Sequence, residues 1–350
     1  MVAFLIATLP ACFKSEPVNN DEAKTLAAGI EKSVKNDNPD VFDNLFDRSS
    51  LRKNIAKSNP DISSGDLNDL VSPTTLNQFG GQLLAAIKGG TYKLLRMYDD
   101  SGIKHLVFRM YGDGGLNYHD FTLVKTHGEV KAADMYSFLT GEQISATFAN
   151  LMTLNTVKSN DNTAKSNFFV KIMAYKNKGE FKNEIDVFNS LDSADRHNKT
   201  LQLVYIDACK HIGNDEYKKA LEDYEALYPN EPNAYLLMLD VYYLNAEYDK
   251  ALMAVNKLDT LVKGDPVLNL FRGNIYKQMF KAAESKASFE KCFAYDPYIK
   301  NNMQQLAASY ADDKEYDKAK AVIARYKQNP QFMEQDIEPI YTLYPVLKDK

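Results

Sequence analysis

Asp134 is the residue whose placement most invites chemistry. Residues 130–139 alternate in polarity, so Val130, Ala132, Asp134, Tyr136 and Phe138 share one predicted strand face. A carboxyl on an apolar face costs free energy unless it is hydrogen-bonded, and burial raises its pKa. Two readings follow. Asp134 can be a general base in a cavity, assisted by His119 or Tyr136. Equally, it can be a structural group held by backbone amides or a neighbouring lysine. His119 and Asp120 are adjacent on a strand, so they point to opposite faces and cannot easily form a relay. The five histidines and the three cysteines, Cys12, Cys209 and Cys292, show no metal-ligand spacing. No Gly-x-Ser-x-Gly, His-Glu-x-x-His or Cys-x-x-Cys occurs, and Gly112-Asp113-Gly114-Gly115 lacks the lysine and helix start of a phosphate loop. We therefore expect no metal, no cofactor and no enzymatic activity.

The elements that would position Asp134 read as α+β. Over 21–90, helical faces carry Leu26, Ile30 and Val34, then Val41, Phe42, Leu45 and Phe46 after Asn38-Pro39, then Leu76, Phe79, Leu83, Leu84 and Ile87. A polar loop is expected around Asn59-Pro60 and Ser63-Ser64-Gly65. From Thr91 the period changes. Four runs, 91–98, 105–111, 116–125 and 130–139, are joined by short glycine turns and predict a four-stranded antiparallel meander. Thr140 and Gln143 suggest a capping box for a helix carrying Ile144, Phe148 and Leu151.

The second half repeats. Glu247-Tyr248-Asp249-Lys250-Ala251, Phe280-Lys281-Ala282-Ala283-Glu284-Ser285 and Glu315-Tyr316-Asp317-Lys318-Ala319 each follow one apolar helical run and precede another. Taking Ala220, Ala251, Ser285 and Ala319 as equivalent, the steps are 31, 34 and 34 residues. Twelve residues earlier lie Ala208, Leu239, Gly273 and Ala307, where a small residue lets two helices cross closely. Large residues on the same face, such as Tyr276 and Phe289, would fill the seam. A weaker first unit has Tyr175, Phe181 and Phe188, with Glu184 in the small-residue place. This pattern resembles the tetratricopeptide repeat (TPR). The resemblance implies five hairpins over 165–330, closed by a helix over 331–350.

In such arrays the first helix of each hairpin lines the concave face. That places Phe169, Tyr205, Leu236, Leu270 and Gln304 in one row, and Met173, Cys209, Asp240, Asn274 and Ala308 in the next. These residues would hold a protein or peptide partner in the groove, unless some pack against the first domain or a neighbouring helix. The lysine of the best-known carboxylate clamp would fall at Ser166, Gln202, Asn233, Val267 and Asn301, so that mode is not implied. The preceding domain, 21–157, resembles the curved α+β rolls of the cystatin-like and ketosteroid-isomerase-like type, fused to TPR arrays in bacterial lipoproteins.

The amino end reads MVAFLIATLPAC. Leu9-Pro10-Ala11-Cys12 after a short apolar run resembles a lipobox, although no Lys or Arg precedes the run. The resemblance implies a signal segment over 1–12, a lipid on Cys12, a flexible tether over 13–20, and a place in the bacterial cell envelope. A plain apolar tail is the alternative. With net charge −5 and both signs interspersed, no basic stripe points to nucleic acid. The expected function is a membrane-tethered interaction scaffold. The competing reading is a ligand-binding or catalytic roll centred on Asp134, Tyr136 and His119. Sugar capture is disfavoured by the absence of Trp.

Overall fold

The computed structural model describes residues 16–38, 44–88, 90–112, 115–156, 168–229 and 233–348. The chain divides into two compact units, one formed by 1–137 with 142–153 and the other by 138–141 with 154–350.

In the first unit, antiparallel strands β1 (Thr91–Asp100), β2 (Ile103–Gly112), β3 (Gly115–Thr126), β4 (Glu129–Ser137) and β5 (Glu142–Gln143) pair in chain order. The meander was expected to have four strands. The fifth is two residues long and pairs Tyr136 with Gln143 and Ser137 with Glu142. It replaces the expected capping box at Thr140–Gln143, and the next helix, Ile144–Thr156, starts directly from it. Two of the turns have consecutive left-handed residues, Ser101-Gly102 and His127-Gly128. That conformation matches the twist of the flanking strands.

Helices cover one face of this sheet. Asn20–Lys35 begins with a capping box from Asn19 and Glu22, and buries Ala23, Ala27 and Ile30 rather than the full Leu26–Ile30–Val34 stripe. Arg48–Ser58 supplies Leu51 and Ile55, and Pro73–Ile87 supplies Leu76, Leu83 and Ile87. They meet Tyr92, Leu106, Phe108, Phe121 and Met135 of the sheet in one core. Of the second predicted helical face, Val41 and Phe42 lie outside the described residues, while Phe46 bridges to Ala132. The expected loop at 59–65 instead ends in a helix, Ser64–Leu70, capped by the Ser63 hydroxyl. Close contact between the Pro73–Ile87 helix end and β2 requires Gly112, because a Cβ there would lie 2.5 Å from the Ile87 carbonyl oxygen. Residues 16–20 are not a free tether. Glu16 bridges to Lys125 and pairs with its ammonium at 3.2 Å.

Among the described residues, the second unit contains five helical hairpins. They are Phe168–Lys178 with Phe181–Asn189, Lys199–Ile212 with Asn214–Leu227, Ala234–Leu244 with Tyr248–Val262, Leu268–Gln278 with Ala282–Tyr295, and Lys300–Asp312 with Tyr316–Tyr326. We number them 1 to 5. The turn inside hairpins 1, 3, 4 and 5 is the same device. Gly179, Ala246, Phe280 and Lys314 are left-handed. The next amide reaches back to the carbonyl of Tyr175, Tyr242, Tyr276 or Tyr310 at 2.8–2.9 Å. This closes the first helix and turns the chain back. A ladder also recurs two hairpins apart. Tyr242 and Tyr310 donate to Glu225 and Glu290 of the preceding hairpin, with Lys250 and Lys318 over their rings.

The expected closing helix over 331–350 is not one helix among the described residues, which end at 348. Pro339 and Pro345 break the segment into Glu334–Asp336, Glu338–Leu343 and Pro345–Leu347, of which only the middle piece is α-helical. It is pinned by buried Asp336, which accepts from the Tyr326 hydroxyl and the Met333 amide, both at 3.1 Å.

Candidate functional site

The predicted groove residues fall into three groups. Leu236 and Leu270 are 7% and 2% exposed. They are core residues and offer no side chain to a partner. Tyr205 is half-buried, its ring stacked on Phe188 of hairpin 1 with centroids 4.4 Å apart. Burial, and then its bond with Cys209, push its pKa up to about 12. Gln304 donates to the Asp336 carbonyl at 2.7 Å, so the closing segment occupies it. Asn274 is half-buried and Asp240 is exposed. The Tyr217 hydroxyl donates to Asp240 at 3.0 Å. Desolvation by the surrounding protein raises the Asp240 pKa, opposed by the Tyr217 bond and the charge of Lys210. Solvent thus reaches this residue although protein packs around its carboxylate. Phe169 and Met173 belong to the first helix of hairpin 1. Lys176 and Asp207 pair at 2.6 Å between hairpins 1 and 2. Cys209, placed in the second groove row, is 1% exposed and offers no side chain to a partner; it and the equally buried Cys292 form no disulfide.

In the first unit Asp134 and His119 do not converge on one pocket. A β-bulge at Ala133 separates the pairs Thr122–Asp134 and Leu123–Ala132, which breaks the expected alternation. Ala132 and Met135 become the core residues of β4. Asp134 accepts from the Met135 amide at 2.9 Å, the Ser145 amide at 3.3 Å, the Ser145 hydroxyl at 2.5 Å and the Asn54 side chain at 3.2 Å. Burial still raises its pKa, against the pull of those bonds. The carboxylate anchors the first turn of the Ile144–Thr156 helix to the Arg48–Ser58 helix, and its oxygens are occupied.

His119 sits elsewhere, buried between Tyr92 and Asn117. The Tyr118 amide donates to Asn117 Oδ1 at 2.8 Å, which turns Asn117 Nδ2 toward His119 Nε2 at 2.9 Å. Nε2 therefore accepts, and the proton resides on Nδ1, 2.9 Å from the Tyr92 oxygen. Burial lowers the His119 pKa to about 4, so the ring is neutral at physiological pH. Its neighbour Asp120 bonds instead to His105 at 2.9 Å and Tyr98 at 2.5 Å. Opposite orientation of adjacent strand residues thus separates His119 from Asp120. The Asp120–His105 pair, fifteen residues apart in sequence, was not anticipated; only the β2–β3 register brings it together.

The hairpin crossings decide what the second unit is. In hairpin 4 a Cβ on Gly273 would lie 2.4 Å from the Phe289 ring, and the Ser285 hydroxyl donates to the Gly273 carbonyl at 2.9 Å. Ala208, Ala220, Ala251, Ala307 and Ala319 are buried at the equivalent places, and the same turn returns at steps of 34 residues. The second unit has the architecture of a tetratricopeptide-repeat array. No protein-family model matches the chain. It is 24% identical over 143 residues to the TPR repeat-containing protein YpiA of Bacillus subtilis (strain 168), covering 41% of this chain and 34% of that protein. The chain therefore spans about a third of the length of this curated relative. Among solved structures, MamA is similar with a TM-score of 0.40 at 16% identity over 53% of this chain and 98% of that one. TTC0263, a thermophilic TPR protein of Thermus thermophilus, gives a TM-score of 0.38 at 15% identity, covering 53% and 100%.

The TPR crossing also explains what the groove reading missed. Glu184, in the small-residue place of hairpin 1, is 1% exposed and neither carboxylate oxygen has a hydrogen-bond partner. Burial raises its pKa, with Lys176 pulling it down and Asp207 pushing it up. The signal was present as a departure from the repeat; its burial depended on how closely hairpins 1 and 2 pack.

Proposed function

We propose that this protein is a non-catalytic scaffold that holds a protein partner along its TPR face and is tethered to a bacterial envelope membrane through a lipid on Cys12. TPR proteins mediate protein–protein contacts, and the observation that carries the reading is the solvent-exposed Asp240 on the first helix of hairpin 3. Asp240 is solvent-exposed, braced by Tyr217, and shares its row with Asn274. With Leu236 and Leu270 buried, recognition rests on Tyr205, Asp240 and Asn274, which favours a segment carrying cationic or hydrogen-bond-donating side chains. Cys12 lies outside the described residues, and its lipobox-like context supports the anchor.

Crosslinking followed by pull-down from native membranes tests the scaffold. Asp240→Ala combined with Tyr205→Ala is expected to lose the captured partner while leaving the helical signal intact. Retention of the same partner by that variant would remove the TPR face from the reading. Mass analysis of the mature amino terminus tests the anchor separately, and an unmodified Cys12 in the native host would end it.

A further inference from the structure

The turn edge of the array carries apolar side chains that the groove does not use. Ile212 and Leu244 end the first helices of hairpins 2 and 3, and are 42% and 45% exposed. Phe280 lies in the corresponding turn of hairpin 4. It is 96% exposed, and its φ is +57°. Left-handed backbone is unfavourable for a bulky L-residue, and a fully hydrated phenyl ring gives up its burial energy. Gly179, Ala246 and Lys314 take the same conformation in the sister turns without presenting an aromatic ring to water. Because consecutive hairpins stack, Ile212, Leu244 and Phe280 follow one another along one edge.

The charges at the two ends of this strip differ. Beside Ile212 stand exposed Asp215 and Glu216; beside Phe280 stand exposed Lys277 and Lys281. Asp215, Glu216 and Lys281 enter no ion pair with described residues. Counting exposed Lys210 and Glu284 as well, the Ile212 end stays net negative and the Phe280 end net positive.

We infer that this edge binds a second copy of the chain. A two-fold axis near Leu244 sets Phe280 of each copy against Ile212 of the other. The same operation brings Lys277 and Lys281 to Asp215 and Glu216 of the partner. A surface that is complementary to itself when reversed is what an isologous contact requires. Three apolar residues a side are fewer than a standard interface buries, about 800 Å² per partner. The dimer is therefore weak and reversible, with the aromatic residue as its anchor. This contact is independent of whatever occupies the concave face.

Sedimentation equilibrium of the full chain tests it. The expected result is a monomer–dimer equilibrium in the micromolar range that weakens with added salt. Phe280→Asn, which keeps a residue tolerant of the left-handed turn, should weaken dimerisation at least tenfold without changing the far-ultraviolet circular dichroism. Lys281→Glu alone should weaken it several-fold, and Lys281→Glu with Asp215→Lys should restore it. A chain that stays monomeric at all concentrations overturns the proposal, as does a dimer insensitive to Phe280→Asn. Phe280-dependent binding of a monomer to phosphatidylglycerol vesicles would also overturn it, and would give the strip to a lipid surface instead.

Discussion

Hairpins 1 and 4 of the array share one architecture but solve the helix crossing differently. In hairpin 4, Gly273 and Ser285 bring the helices together, Phe289 fills the seam, and the buried Ser285 hydroxyl is spent on the Gly273 carbonyl. In hairpin 1 the same places hold Ile172 and Glu184, both buried, and the Glu184 carboxyl has no partner. Both hairpins nonetheless close with a left-handed residue whose successor bonds back to a tyrosine carbonyl. The turn and the tyrosine set the hairpin geometry; the crossing residue sets how stable it is. A carboxyl at the crossing makes hairpin 1 the soft end of the array.

Exchanging the crossings gives the largest expected effect. Ser285→Glu places an unpaired carboxyl against Gly273 and Phe289, and should cost about 3–5 kcal/mol in urea unfolding. A loss below ~1 kcal/mol would mean that the crossing does not control stability.

The first unit sharpens the contrast, because its buried titratable ring is fully bonded as the neutral form. The pKa of His119 falls from 6.5 to about 4 on folding. The unfolded chain binds the extra proton first, so stability holds above pH ~6.5 and declines as pH drops toward about 4. The loss should total on the order of 3 kcal/mol. His119 ring shifts followed by NMR should stay flat between pH 5 and 8; a midpoint near 6.5 would contradict the buried network.

Glu184 has the opposite sign. Its folded pKa lies above its unfolded one, so its cost is absent in acid, grows as pH rises through the unfolded pKa, and levels off above the folded pKa. Glu184→Met keeps the volume and removes the charge. It should stabilise the array by about 1–3 kcal/mol at pH 7, shrinking toward zero near pH 4. Hydrogen exchange in Phe181–Asn189 locates the gain, and unchanged protection there would refute it.

The smallest effect is at the turn itself. Phe280→Gly relieves a left-handed aromatic residue and should add about 0.5–1 kcal/mol of monomer stability. The same change at Lys314 should give a similar gain, because the turns are equivalent; unequal gains would show that they are not.

Much of the fold was legible because it is written in local periods. The spacing of Tyr242, Tyr276 and Tyr310, the small residues at 220, 251, 285 and 319, and the glycine turns between strands each reflect geometry within one or two elements. The site was less legible. Leu236 and Leu270 occupy the groove positions of a TPR helix, yet which side chains stay open depends on what packs over them. The Ala133 bulge inserts one residue into β4 and redirects Asp134 toward Ser145 and Asn54, residues 11 and 80 positions away. No alternation count within the strand could place those donors.

By itself, the chain's residue order determined that a twisted antiparallel sheet precedes stacked helical hairpins, since backbone periodicity and turn chemistry are local properties. Tertiary packing alone decided that Asp134 is a bonded anchor, that Glu184 is buried without a partner, and that Phe280 stands in water. Burial and hydrogen-bond satisfaction depend on neighbours distant in the chain, and only the folded molecule assembles them.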